Sequence, residues 1–564
     1  MRPWKGIALV SALAVVFSLP AGSAQSSKLL DILSGELERN FKILKDKATP
    51  PPYYAAYEVT ETDTHSISAA LGAIAAQSNS RGRRLDVTIR VGSPKLDNYH
   101  LINGRLPRFT RGVPIAIEDE PNALRQALWR ETDRVYRASA ERLIKIKTDS
   151  EVNIKEQDSP PDFSFEAPST YNSVPPPLKL DEQAWAKRLR ELSARFRSYD
   201  SVLWSSVSLV AQRQIKSFVN SEGTRISHGW TATRISISGV AKAPDGMDLV
   251  TSENFEANTP DGLPENKKIL AAIDKVGGEL TKMVDAPLVD PYVAPAILSG
   301  RASGVFFHEI FGHRVEGHRL RDASEGQTFA NSIGTQVLPK FLSVIFDPTL
   351  RHLGPTDLMG WYDFDDQGVR ARRVPVVEKG IMKTFLLSRA PVRGFSHSNG
   401  HGRRQIGFEV VSRQSNLIVE SDQVVTDDRL RQMLLDEIKK QNKEYGFYFE
   451  QVTGGFTLTG RRSPQAFKVI PLVVYRVYAD GRPDELVRGV DIVGTPLAAF
   501  SRILATGDTI GVFNGYCGAE SGQVPVSASS PAILVSEIEV QRKPRSQDRP
   551  PLLPRPVLPT GEQQ

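Results

Sequence analysis

The chain has one cysteine, Cys517, in 564 residues. An intramolecular disulfide is excluded, and with it the stapled scaffold in which cysteines come in even numbers. Beyond the first 24 residues no apolar run approaches the roughly 20 residues that a membrane-crossing helix needs, so no membrane span is expected in the mature chain. An excess of one charge sign is also missing. Lys and Arg number 71 against 65 Asp and Glu, and the two signs are interleaved. No long basic stripe is present to follow phosphates, so nucleic acid is not an implied partner. No internal repeat occurs. The remaining composition, 40% hydrophobic and 24% charged, is that of an ordinary globular protein with length for two to four domains.

The opening stretch MRPWKGIALVSALAVVFSLPAGSAQSS has the order of a secretory signal. Arg2 and Lys5 form a positive start, Ile7 to Leu19 an apolar centre, and Gly22-Ser23-Ala24 a small-residue cleavage site. The expectation is an exported protein, periplasmic or secreted, with residues 1–24 removed. No cysteine follows the cleavage site to carry a lipid. A lone thiol in an oxidising compartment is a liability unless it is buried or bound to a metal, which makes Cys517 a candidate.

Hydrophobic spacing divides the rest. Leu29, Leu30, Leu33, Leu37, Phe41 and Leu44 mark an amphipathic helix over 27–47, and a second helix is expected over 121–147. Strands are expected at 53–60 and 85–91. These make residues 25–157 an N-terminal α/β domain. Residues 158–182 are rich in Pro and Ser and read as a linker or insertion. A middle α/β region, 183–290, carries helices near 183–199 and 265–283 and a β-hairpin turning at Asn220-Ser221-Glu222-Gly223. Residues 291–542 are strand-rich, and 543–564 form a Pro-rich tail expected to be disordered. The fold class is α+β: an N-terminal α/β domain followed by a strand-rich C-terminal domain carrying a short metal-binding helix.

That helix is VFFHEIFGHRVEGHRL, residues 305–320, with His308, His313 and His318 among the chain's nine histidines. Zinc-hydrolase helices space two histidines four apart, with a glutamate after the first. Here the spacing is five, and a regular helix would turn His308 and His313 about 140° apart. One ion can bind both only if a π-bulge or a helix end falls within 310–312, where Gly312 eases the strain. The alternative is a solvated helix rich in histidine. Catalytic zinc takes three protein ligands, and Cys517, between Gly515 and Gly518 in a stretch suited to a tight turn, supplies a third donor. The other reading of Cys517 is a small buried apolar side chain. Glu309 beside the first ligand suits a general base, or is an ordinary helix glutamate. His318 is a rival ligand.

His308-Glu309-Ile310-Phe311-Gly312-His313, followed by Val315-Glu316-Gly317, resembles the HExxxH signature of the TldD/PmbA family, metallopeptidases also called modulators of DNA gyrase. The likeness continues through WYDFDDQGVRARRVPVVEKGIMKTFLLSR, NGHGRR at 399–404, EQVTGGFTLTG and YCGAESGQVPVS. It implies a zinc peptidase of the catalytic, TldD-like type, with His308, His313 and Cys517 as ligands and Glu309 as catalytic base. Arg404, Gly454 and Gly455, inside the matching motifs, become candidate substrate-binding residues. The resemblance further implies a homodimer, or a heterodimer with a PmbA/TldE-like subunit, acting on unfolded proteins or short peptides. Export sets this chain apart from cytoplasmic relatives. The alternative function is a secreted, non-hydrolytic binding or assembly subunit stabilised by its metal.

Overall fold

A computed structural model describes residues 27–102, 104, 106–152, 159–322, 324–461, 466–543, 549–551, 553 and 556. The expected signal segment lies outside the described residues, as does most of the expected tail.

Two sheets organise the chain. In the first, the hairpin Pro52–Ala70 and Ala73–Ser93 lies beside the hairpin Trp204–Asn220 and Arg225–Lys242. The pairing is antiparallel and continuous from Ala56↔Asn220 to Ala69↔Val207. The N-terminal and middle regions, separated in the sequence reading, therefore share one sheet. The Pro-rich stretch between them is laid against that sheet. Phe163 is buried with Tyr54 and Phe218, and Thr170–Ser173 pairs in parallel with Arg225 to His228.

Alternation explains the sheet. Val207, Leu209 and Ala211 are buried, while Ser206 and Ser208, alternating with them, are half-buried. Two helices cover the buried face at one end, Lys28–Lys47 and Pro121–Val152, around Leu33, Leu37, Leu85 and Leu128. At the other end sit Glu182–Ala194 and Asn266–Asp285. The second of these buries Ile269, Ile273, Val276, Leu280 and Met283, a spacing of threes and fours that makes one apolar stripe. Among the described residues no helix is long and apolar enough to cross a membrane.

The second sheet, twelve described strands in the C-terminal half, gives the strand-rich domain that the sequence predicts. Tyr292–Leu298 runs between Tyr445–Thr457, parallel, and Gly522–Arg542, antiparallel. It feeds directly into the helix Gly300–Ile310. Ser299 caps that helix: its hydroxyl accepts from the amide of Ala302 at 3.2 Å and donates to the carbonyl of Glu450 at 2.8 Å. Ala302, Val305, Phe306, Phe307 and Ile310 are all buried in the largest core. The helix lies on the long hairpin Ile503–Ala519 and Gly522–Arg542, tied to it by Ser303 Oγ and Ser530 Oγ at 2.7 Å. This contact brings the histidine segment against the strand that carries Cys517.

Candidate metal centre

The helix stops at Ile310, and the chain continues as a 3₁₀ turn from Gly312 to Val315. A helix end is one of the two distortions that the five-residue spacing requires. Its open carbonyls are answered by side chains, as a buried helix end demands. Gln414 Nε2 donates to the carbonyl of His308 at 3.3 Å. Arg314 Nη1 donates to the carbonyls of Glu309 at 3.2 Å and Ile310 at 3.1 Å, and to Thr457 Oγ1 at 2.7 Å.

The turn swings His313 back toward His308, and the two rings stand edge to face with centroids 5.1 Å apart. Cys517 comes to them from the hairpin. It lies in a strand, paired with Val524, and not in the tight turn that its flanking glycines suggest. The pleat aims its side chain inward, where it is 3% exposed. Sγ is 3.4 Å from Nε2 of His313, and one donor atom from each of His308, His313 and Cys517 lies within 4.8 Å of the others. Zinc bonds of about 2.0 Å to nitrogen and 2.3 Å to sulfur, at tetrahedral angles, set donors about 3.5 Å apart.

The electrostatics match this donor set. Burial opposes charge on both His313 and Cys517, yet each outweighs it for the other. The thiolate and Glu316 hold His313 well above its ordinary value, and the imidazoles of His313 and His308 hold Cys517 well below its own. The thiol is poised to ionise, which is the form that binds a metal.

Glu309 is buried at the edge of the cluster. Oε2 is 3.9 Å from His313 Nε2 and has no hydrogen-bond partner among the described residues. Burial raises its pKa, against the pull of His308 and His313. A buried carboxylate oxygen without a partner beside three convergent soft donors fits a site built for a divalent ion and a reacting proton. His308, His313 and Cys517 are the residues that fit zinc.

His318 turns away from this set, with Nε2 3.4 Å from Glu520 Oε2. Gly455 lies on Glu309: a β-carbon there would be 2.7 Å from Glu309 Cγ and 2.6 Å from the carbonyl of Lys468. Gly454, its neighbour, has open space where a side chain would be. Arg404 is not brought to the cluster as a free cation. Its guanidinium is buried, donating to Glu58 Oε1 at 3.2 Å on the first sheet and to the carbonyl of Phe408 at 3.3 Å. Sequence reasoning missed the groups that brace the site, Glu316, Arg413 and Gln414. Glu316 stood within the quoted motif, three residues after His313. The other two had no spacing to mark them.

Residues 291–542 match the model of the PmbA/TldA metallopeptidase C-terminal domain, and residues 175–271 match that of the PmbA/TldA metallopeptidase central domain. A protein of Archaeoglobus fulgidus named metalloprotease is 27% identical over 329 residues, covering 57% of this chain and 69% of that protein. A zinc metalloprotease TldD homolog of Saccharolobus solfataricus is 25% identical over 249 residues, 44% of this chain and 51% of that protein. Among solved structures, TldE from Thermococcus kodakarensis superposes with a TM-score of 0.58 at 13% identity, covering 90% of this chain and all of that one. A Thermotoga maritima protein described as a modulator of DNA gyrase gives 0.59 at 15% identity, covering 90% and 99%. These two likenesses are of fold.

Proposed function

Because this chain belongs to the PmbA/TldD metallopeptidase family, we propose that it is an exported, zinc-dependent peptidase of TldD type. Its substrates are unfolded proteins or short peptides. His308, His313 and Cys517 hold the ion. Bound there, zinc supplies the Lewis acidity that polarises a peptide carbonyl and acidifies water.

The chain's own residues do the rest. The carbonyls of the helix end are occupied by Gln414 and Arg314, so the two histidines keep their places. Glu309 Oε2 takes a proton from the attacking water and returns it to the leaving amine. Its raised affinity for protons suits the first half of that transfer, because a more basic carboxylate takes the proton more readily, and the leaving amine, more basic still, receives it in the second half. An extended substrate fits beside the strand Tyr445–Thr457. That strand's parallel partner ends at Leu298, level with Phe449, and Gly455 farther along lies on Glu309. Main-chain hydrogen bonds to a strand edge read backbone rather than sequence, which suits unfolded chains.

Glu309 carries this reading. A purely structural metal site has no use for a buried carboxylate with an unpartnered oxygen. The subunit that pairs with a TldD-type chain is proposed to be a second copy or a TldE-like relative. Export rests on the pattern of residues 1–24.

The test is Glu309→Gln, which keeps shape and removes the base. Purified mature protein should retain its zinc and lose hydrolysis of an unstructured peptide by about 100-fold or more. Undiminished hydrolysis would remove Glu309 from the chemistry.

A further inference from the structure

We propose that Glu316 and Arg413 are positioning residues that hold the two halves of the ligand cluster in register, Glu316 by fixing the ring of His313 and Arg413 by fixing the strand at Cys517. The inference rests on the metal reading above.

The ligands come from two distant segments, the His308–His313 stretch and the hairpin strand of Cys517, more than 200 residues apart in the sequence. His313 lies past the end of its helix, in a 3₁₀ turn. Cys517 is two residues from the end of its strand. Something must fix both side chains where they meet.

Glu316 and Arg413 have fully buried side chains and span that gap. Glu316 Oε2 accepts from His313 Nδ1 at 3.2 Å and from Arg319 Nη2 at 3.0 Å. With Nδ1 carrying the donated hydrogen, Nε2 is the nitrogen left for a metal, and Nε2 faces Sγ of Cys517 at 3.4 Å. Glu316 Oε1 forms an ion pair with Arg413 Nε at 3.3 Å, without the alignment of a hydrogen bond. Arg413 continues the brace to the hairpin. Nη2 donates to the carbonyl of Cys517 itself at 2.6 Å, and Nη1 to Ser521 Oγ and the carbonyl of Gly522, each at 2.9 Å. One carboxylate and one guanidinium thus connect the ring of one ligand to the backbone of another.

Stability alone is a poor reason for this arrangement. Buried ion pairs lose in desolvation much of what they gain by attraction, and apolar replacements of similar volume often fold as well. Orientation is the better reason. A carboxylate on the far nitrogen of a metal-binding imidazole sets its tautomer and ring plane, and its loss typically weakens metal binding 10–100-fold.

The test uses the full mature chain loaded with zinc or with cobalt(II). The readouts are metal affinity by chelator competition and the visible spectrum of the cobalt form. Glu316→Ala should weaken metal binding at least about 10-fold and shift the cobalt bands. Glu316→Gln, whose amide oxygen still accepts from Nδ1, should recover part of both. Arg413→Lys, which cannot reach Cys517 and Ser521 together, should weaken the thiolate-to-cobalt band. A role in packing alone would lower the unfolding midpoint and leave the spectrum of the folded fraction unchanged. If Glu316→Ala does not fold, Glu316→Gln and Arg413→Lys decide. Wild-type affinity and spectrum in both overturn the proposal. Cys517→Ser separates the two readings. If the wild-type spectrum has no thiolate band for that variant to remove, the ligand set itself is wrong. If the band is present and lost in Cys517→Ser, yet indifferent to Glu316 and Arg413, only the positioning role fails.

Discussion

Gln414 occupies the place that a side chain at Gly312 would need: a β-carbon on Gly312 would fall 1.9 Å from Gln414 Oε1. The same amide caps the carbonyl of His308. The extra residue between the histidines and the glutamine from a distant loop are therefore one device, which ends the helix in time for His313 to turn back.

Gly312→Ala must push Gln414 off that carbonyl. We expect a loss of about 1–3 kcal/mol in folding stability, from overpacking and an unsatisfied buried carbonyl, together with faster zinc release. Urea unfolding and chelator competition measure both. Gln414→Ala on the same chain frees the space, so the double variant should cost less than the sum of the two singles.

Gly455→Ala tests the contact with Glu309. The new methyl cannot keep its place 2.6 Å from the carbonyl of Lys468 and 2.7 Å from Glu309 Cγ. Displacing the base by about 1 Å should lower kcat by about 100-fold and leave the zinc content unchanged. Loss of the metal instead would mean that the strand supports the ligands and not the base.

Arg404 is held in a buried ion pair. Its partner Glu58 is as buried as Arg404 itself, and its backbone amide donates to Asp366 Oδ2 at 2.7 Å. Arg404→Met leaves buried Glu58 without its hydrogen-bonded cation and with Lys216 as the remaining nearby positive charge, at a cost of about 3 kcal/mol. Denaturant midpoints should show that loss, and KM of the folded fraction should not change.

His401 gives a pH signature. It is wholly buried, with Nε2 3.1 Å from Ser415 Oγ and Nδ1 3.3 Å from the carbonyl of Asn399, and burial lowers its pKa from 6.5 to about 3. The unfolded chain takes up this proton as pH falls below about 6.5, while the folded chain does not until about 3. Stability from this group is therefore present above that window and lost as pH falls through it. Between pH 7 and pH 5 the loss is about 2 kcal/mol. His401→Asn should flatten the pH dependence of the urea midpoint by that amount, and an equal slope in both proteins would show that His401 is charged in the fold.

The candidate ligands were legible in the sequence because scarcity pointed to them. One cysteine and a close trio of histidines leave few combinations, and Glu309 follows its histidine directly. Helices were legible where apolar spacing was regular, as at Ile269, Ile273, Val276 and Leu280. The single N-terminal sheet was not, because pairing of Ala56 with Asn220 joins strands across more than 160 residues and leaves no local mark. Arg413 and Gln414 were hidden for the same reason. They act on groups about 100 residues away, through a carbonyl and a carboxylate whose positions only the fold defines.

The central claim is that His308, His313 and Cys517 bind one zinc ion. X-ray absorption at the zinc edge of the purified mature protein tests it most directly. The account predicts about one zinc per chain with one sulfur near 2.3 Å and two imidazole nitrogens near 2.0–2.1 Å. A zinc shell without sulfur, or a chain that holds no zinc after purification in its presence, would contradict it.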